Sequence, residues 1–213
     1  MLPHGDKRGV KRGSGASSSQ SSLPALQGAV AIYDPGTGEH SARVAHAASA
    51  VGRRLGLPDP DIEAAWWGAT LHDLGKLGIP VDVLHKDSAL DEAEWDQMRR
   101  HPVIGADLLL AVSPSLSPVA EAVRAHHERW DGGGYPDGLA GEAIPILGRI
   151  IAIADAFDAM TRIRPYRVGV VSPADAISEL RRQSGSQFDP HLVGLFIDLH
   201  DTGLIVAESE SPT

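Results

Sequence analysis

A chain of 213 residues with 42% hydrophobic and 22% charged residues has the composition of a globular protein, long enough for one domain with its own core plus a tail. It contains no cysteine, which excludes disulfides, thiolate metal sites and cysteine nucleophiles, so any metal must be held by histidine and carboxylate. The net charge of −9 is uneven: Lys7, Arg8, Lys11 and Arg12 against Asp6 put residues 1–28 at +3 and leave −12 on the rest, which argues against a surface for duplex nucleic acid. No apolar run reaches the roughly 20 residues of a membrane span, and the start, MLPHGDKRGVKRGSG, lacks the apolar stretch of a signal peptide. The expectation is a cytoplasmic protein without a membrane span.

Taken in chain order, residues 1–29 are basic and rich in Ser and Gly, with too little apolar surface to offset the entropy of ordering, and are expected to be a disordered tail. Beyond residue 30 the periodicity is helical, with almost no strand alternation, so an all-α fold is expected, with the domain over 30–205 and a short C-terminal tail over 206–213. Val44, Ala47, Ala48, Val51 and Leu55 recur at three and four residues and predict an amphipathic helix from Glu39 to Leu55, stopped by Gly56 and carrying His40 in its first turn. Asp61 to Leu71 reads as a more apolar helix that runs into His72-Asp73, with Gly75 as the break. Asp91 and Glu94 form a capping-box pattern before a helix ending near Met98, and His101-Pro102 precedes another over Val103 to Ala111. Val119 to His127 is expected to deliver paired histidines at its end. Ile144 to Met160 is the most hydrophobic element and contains Asp155, and Pro173 to Arg182 and Pro190 to Leu199 close the domain.

The chemistry-bearing residues lie where these helices end or turn inward. His40, His72, His101, His126 and His127, five of the ten histidines, fall on four predicted helices or at their ends, and Asp73 and Asp155 join them. Such a spread predicts a site built between the helices of a bundle. Neutral imidazole and carboxylate suit divalent iron, manganese, nickel, cobalt or zinc. The segment 126–136, His-His-Glu-Arg-Trp-Asp-Gly-Gly-Gly-Tyr-Pro, joins two of these imidazoles to a glycine-rich turn, a poor choice for filling a core. His4, His46, His85, His191 and His200 have no such company and read as surface or packed residues.

His72-Asp73-Leu74-Gly75-Lys76, the 126–136 segment, Ala154 to Thr161 with Arg164-Pro165-Tyr166-Arg167, and Ser184 to Pro190 together closely resemble the HD-GYP subfamily of HD-domain phosphohydrolases. The resemblance covers about residues 30–205 and implies an HD-domain helical bundle that hydrolyses cyclic di-GMP to pGpG, or onward to GMP, with two divalent metal ions, iron or manganese first among them. It assigns His40, His72, Asp73 and Asp155 to one metal and Asp73, His101, His126 and His127 to the other, with Asp73 bridging and a shared water as nucleophile. Lys76 is expected to neutralise phosphate charge or assist the leaving oxygen. Asp158, one turn after Asp155, is expected to handle a proton near the leaving group. Gly134, Tyr135 and Pro136 should shape the substrate pocket, and Arg164 and Arg167 should contact phosphates. Some members hold a third metal through a glutamate four residues before the first-helix histidine. That position is Gly36 here, and Glu39 points about 100° away from His40 on a helix. A two-metal site follows.

Two other readings stay open at this stage. The chain could be a cyclic di-GMP receptor or interaction module with little turnover, partnered by a diguanylate cyclase domain, a separate sensor protein or a second copy of itself as a homodimer. It could also be an HD hydrolase of another nucleotide, such as cyclic GMP-AMP or a guanosine tetraphosphate, although the Gly-Tyr-Pro segment disfavours the tetraphosphate.

Overall fold

The structure, a computed structural model, describes residues 22–33, 37–161 and 171–206. Ten α-helices lie among them: α1 (Leu23–Tyr33), α2 (Thr37–Leu55), α3 (Asp59–Leu71), α4 (Val81–Leu84), α5 (Glu92–Met98), α6 (His101–Val112), α7 (Ser117–Ala125), α8 (Ile146–Thr161), α9 (Pro173–Arg182) and α10 (Pro190–Asp201). The β pairing among the described residues amounts to one isolated bridge between Ser184 and Phe188, so the fold is the expected all-α bundle. Among the described residues, no helix is long and apolar enough to cross a membrane.

Local chemistry sets most of the boundaries. The Asp91 carboxylate accepts from the Glu94 amide at 2.9 Å and the Glu94 carboxylate accepts from the Asp91 amide at 2.8 Å, a complete capping box on α5. Ser172 caps α9 and Asp189 caps α10, each followed directly by proline, whose missing N–H is harmless in a first helical turn. The same tolerance explains a difference at α6. The helix was expected to start at Val103, but it starts at His101 with Pro102 in its first turn. Likewise α3 begins at Asp59 with Pro60 inside it, and α8 begins at Ile146 because Ile144 is extended.

The tail boundary expected at residue 29 also shifts. Residues 23–29 belong to α1, whose Leu23 and Val30 are buried and whose Leu26 packs against the core. Their i, i+3, i+7 spacing is a helical apolar stripe that the polar composition upstream masks. The Tyr33 hydroxyl at its end donates to the Ile79 carbonyl at 3.0 Å, which ties α1 to the turn after α3.

The centre of the bundle is α8. Its Ile150, Ile151, Ile153, Ala154 and Phe157 are each at most 3% exposed, and it packs against α2, α3, α7, α9 and α10. A helix hydrophobic on most sides must be enclosed in this way. The α2–α3 and α6–α7 pairs flank it. A short 3-10 turn, Leu74–Gly78, lies against α6. That contact is possible because Gly75 has no side chain: a Cβ there would meet the His101 carbonyl oxygen at 1.9 Å and the Gly105 nitrogen at 2.6 Å. It brings the end of α3 directly onto the start of α6.

Candidate metal centre

Helix ends converge at one side of this core. His72 is the residue that ends α3, Asp73 follows it, His101 opens α6, His126 and His127 follow α7, and His40 and Asp155 project from α2 and α8. His40, His72, Asp73, His101 and His126 are at most 7% exposed. Buried histidines at this density do not contribute ordinary core packing, and their spacing identifies two groups. His40, His72 and Asp73 place ligand-type atoms within 4.8 Å of one another, and so do His101, His126 and His127.

Asp73 links the groups, and Asp155 joins the first. Asp73 Oδ2 lies 3.4 Å from His72 Nε2, and Asp73 Oδ1 lies 3.7 Å from His101 Nε2, so one carboxylate faces both groups with different oxygens. Asp155 Oδ1 is 3.2 Å from His40 Nε2 and 3.9 Å from His72 Nε2. His101 Nε2 and His126 Nε2 stand 3.3 Å apart, close enough to share a ligand-sized space. All seven residues expected to ligate metal therefore gather in one place.

Hydrogen bonding fixes the side chains for ligation. Nδ1 of His72, His101 and His126 is 2.7, 2.8 and 2.6 Å from the carbonyls of Ala69, Met98 and Val123, and only a protonated nitrogen can donate there. In its neutral form each ring then presents an unprotonated Nε2 to the cluster, the tautomer a divalent cation requires. Burial pushes His126 well below the usual histidine range and lowers His101, and burial with the nearby His101 lowers His127 to about 4. These three rings are neutral at neutral pH.

His40 differs: burial opposes its charge, but hydrogen bonds to Asp155 and Asp158 raise it to about 9 in the absence of a metal. Asp73 is held well below the usual carboxylate range, since His72, Lys76 and His101 outweigh its burial. Neutral imidazoles at His101, His126 and His127 beside the ionised carboxylates of Asp73 and Asp155 fit divalent metal.

Lys76 and the loop carry the remaining expected positions. Lys76 Nζ donates to Asp73 Oδ2 at 2.8 Å, which puts an ammonium on the linking carboxylate. A cleft of about 590 Å³ opens beside the cluster, lined by His126, His127, Gly134, Tyr135 and Asp155 along with Arg99, Arg129 and Gln187. Tyr135 stacks on His127 with ring centres 4.8 Å apart and planes 29° apart, and the Tyr135-Pro136 peptide is cis. Gly134 sits so close beneath the loop that a Cβ would meet the Arg129 nitrogen at 2.4 Å. Glu128, buried at 4% exposure, accepts from the amides of Asp137 at 2.7 Å and Leu139 at 3.0 Å and so pins the loop shut. The Trp130 and Asp131 amides donate to Gln187 and Ser186, which explains why the 184–190 segment accompanies the loop.

Asp158 is placed differently from its expected role at the leaving group. Its Oδ2 accepts from His40 Nδ1 at 2.6 Å and its Oδ1 accepts from Arg43 Nε at 2.6 Å. Both oxygens are engaged behind His40, so the side chain orients the His40 ring. Arg43 and the pinning role of Glu128 were missed in the sequence. Arg43 lies three residues after His40 and Asp158 three after Asp155, a matched spacing that was available as a signal. Gly36, Arg164, Arg167 and His4 lie outside the described residues. His46, His85 and His191 are exposed, and His200 packs edge-on against Phe157. Glu39 is exposed while His40 is buried, as the helical offset requires.

The HD-domain family model matches residues 24–192. The chain belongs to the HD-domain family. Within it, the relatives and motifs identify an HD-GYP protein. It is 42% identical over 172 residues to the cyclic di-GMP phosphodiesterase response regulator RpfG of Xanthomonas campestris pv. campestris, covering 80% of this chain and 45% of that one. It is 38% identical over 185 residues to 3'3'-cGAMP-specific phosphodiesterase 2 of Vibrio cholerae, covering 86% of this chain and 35% of that protein. This HD-GYP chain thus spans less than half the length of either relative. Among solved structures, an HDG"Y"P protein from Bdellovibrio bacteriovorus shares the fold with a TM-score of 0.64 at 19% identity, over 87% of this chain and 64% of that one.

Proposed function

We propose that this HD-GYP chain is a metal-dependent phosphodiesterase that hydrolyses cyclic di-GMP to the linear dinucleotide pGpG. The observation that carries the reading is the convergence of five histidines and two aspartates beside an open cleft, with imidazole Nε2 atoms left free by bonds at Nδ1. His40, His72, Asp73 and Asp155 would hold one divalent ion, and Asp73, His101, His126 and His127 a second, with iron or manganese the first to test. Bound there, the pair would acidify a shared water and draw charge from the phosphate.

Hydrolysis consumes one water: an oxygen–phosphorus bond forms, the bond from phosphorus to the 3′ oxygen breaks, and that oxygen takes up a proton. The 5′ phosphate remains on the opened product. Lys76 is a cation of the chain at the cluster and suits a non-bridging phosphate oxygen. Tyr135, stacked on His127, presents a flat face at the cleft where a purine can lie. Gly134 and Pro136 hold that rim. A cytoplasmic location belongs to the same proposal.

Cyclic GMP-AMP is a second reading, favoured by the 38% identity to a relative named for that substrate. The test is incubation of manganese- or iron-loaded protein with each cyclic dinucleotide, with products separated by chromatography, alongside Asp73→Ala. Turnover that falls to background in Asp73→Ala supports the mechanism. Turnover that survives the substitution removes the metal centre from it, and tight binding without turnover by the unsubstituted chain points to a receptor.

A further inference from the structure

The histidines of the cluster are supported in two ways. His72, His101 and His126 bond through Nδ1 to carbonyls three residues earlier, so each support is part of the helix that carries the ring. His40 instead bonds to a carboxylate 118 residues away, Asp158 Oδ2 at 2.6 Å. A backbone carbonyl is fixed and neutral. A carboxylate on its own side chain can rotate, and when it is buried its charge must be matched.

Arg43 meets both needs. Its Nε donates to Asp158 Oδ1 at 2.6 Å and its Nη2 donates to Asp158 Oδ2 at 3.2 Å, a two-pronged clasp that leaves Oδ2 aimed at His40. Asp158 is 7% exposed, so the clasp works where water screens little. His40 and Arg43 stand three residues apart on α2, and Asp155 and Asp158 three apart on α8. The two helices therefore meet as ligand against ligand and support against support.

We propose that Arg43 is a positioning residue that, through Asp158, sets the metal affinity of the position built on His40, and that the position built on His101, His126 and His127 does not depend on it. A charged partner on Nδ1 makes Nε2 a stronger donor, and a fixed partner holds the ring in line. The two metal positions are accordingly unequal by construction. The inference rests on the metal reading of the cluster and not on the identity of the substrate.

Titration of the full chain with cobalt(II) or manganese(II), followed by equilibrium dialysis and visible absorption, tests it without any dinucleotide. The unsubstituted chain is expected to take up two ions. In Arg43→Gln one binding step weakens about 10- to 100-fold, the usual cost of losing an outer-shell support, while the other stays in place. Asp158→Asn weakens the same step, and Arg43→Gln added to Asp158→Asn weakens it no further, because Arg43 acts on His40 through the Asp158 carboxylate. Arg43→Lys keeps the charge and loses the fork, so it falls between; if Arg43→Gln does not fold, Arg43→Lys and Asp158→Asn carry the comparison. Unchanged affinities in Arg43→Gln, equal loss at both steps, or additive loss in the double variant would overturn the proposal. Fewer than two ions on the unsubstituted chain would overturn it together with the two-metal centre, whereas missing dinucleotide turnover would count only against the substrate.

Discussion

Gly75 joins the two halves of the metal centre, and Gly75→Ala is the sharpest test of that geometry. The added Cβ would lie 1.9 Å from the His101 carbonyl oxygen, 2.6 Å from the Gly105 nitrogen and 2.7 Å from the His101 carbonyl carbon, all of them backbone atoms that cannot rotate away. Non-bonded atoms settle at about 3.5 Å, so the turn and α6 must part by about 1.5 Å. Asp73 precedes this turn and faces His101 Nε2 at 3.7 Å, so the same displacement pulls the linking carboxylate off the second group of ligands.

Overpacking of this kind costs about 1–3 kcal/mol. For a chain of this size that lowers the melting temperature by roughly 3–10 °C. A shift of 1 Å in a reacting group costs on the order of 100-fold in rate, so activity should fall far more than stability. Circular dichroism melts and metal titration of the same preparation read both effects. A Gly75→Ala chain with unaltered melting and two unaltered binding steps would show that the turn and α6 do not touch as described.

Two further outcomes follow from the buried groups. In the metal-free chain His127 titrates at about 4 where an unfolded histidine titrates near 6.5, because burial disfavours its charge. The unfolded chain therefore binds more protons between those values, and stability is lost as pH falls from about 6.5 to about 4. Denaturant unfolding at pH 7 and pH 5 should show the loss, and His127→Gln should flatten it; equal slopes in the two proteins would contradict the burial. Glu128→Ala removes the acceptor for the Asp137 and Leu139 amides, and each lost part-buried bond costs about 0.5–1.5 kcal/mol. Urea unfolding should register that loss, with substrate affinity falling as the loop slackens, and unfolding like that of the unsubstituted chain would show that Glu128 does not pin the loop.

Much of the site was legible because its ligands are unusual residues in unusual company. Paired histidines at 126 and 127, the His72-Asp73 doublet and Asp155 in an otherwise apolar helix contradict simple core-filling, and all seven positions gather in the structure. Helix ends were less legible. Pro60 and Pro102 read as boundaries but sit inside first turns, where their missing N–H costs nothing. The start of α1 was hidden because its apolar stripe directly follows a Ser-rich run whose composition dominates the window. Asp158 was read from its spacing to Asp155 as facing the substrate. The same spacing places it behind His40, and a helical offset alone does not say which neighbour lies across the gap.

The sequence by itself determined the helical class and the residue types of the candidate site, because these depend on side-chain chemistry and on periodicities only a few residues long. The tertiary structure alone decided which imidazole nitrogen faces the cluster, how one carboxylate reaches both groups and what stands behind His40. Those outcomes depend on the placing of α2, α3, α6 and α8 against one another, and that placing is settled by contacts such as Gly75 against His101 and Arg43 against Asp158, which no local pattern encodes.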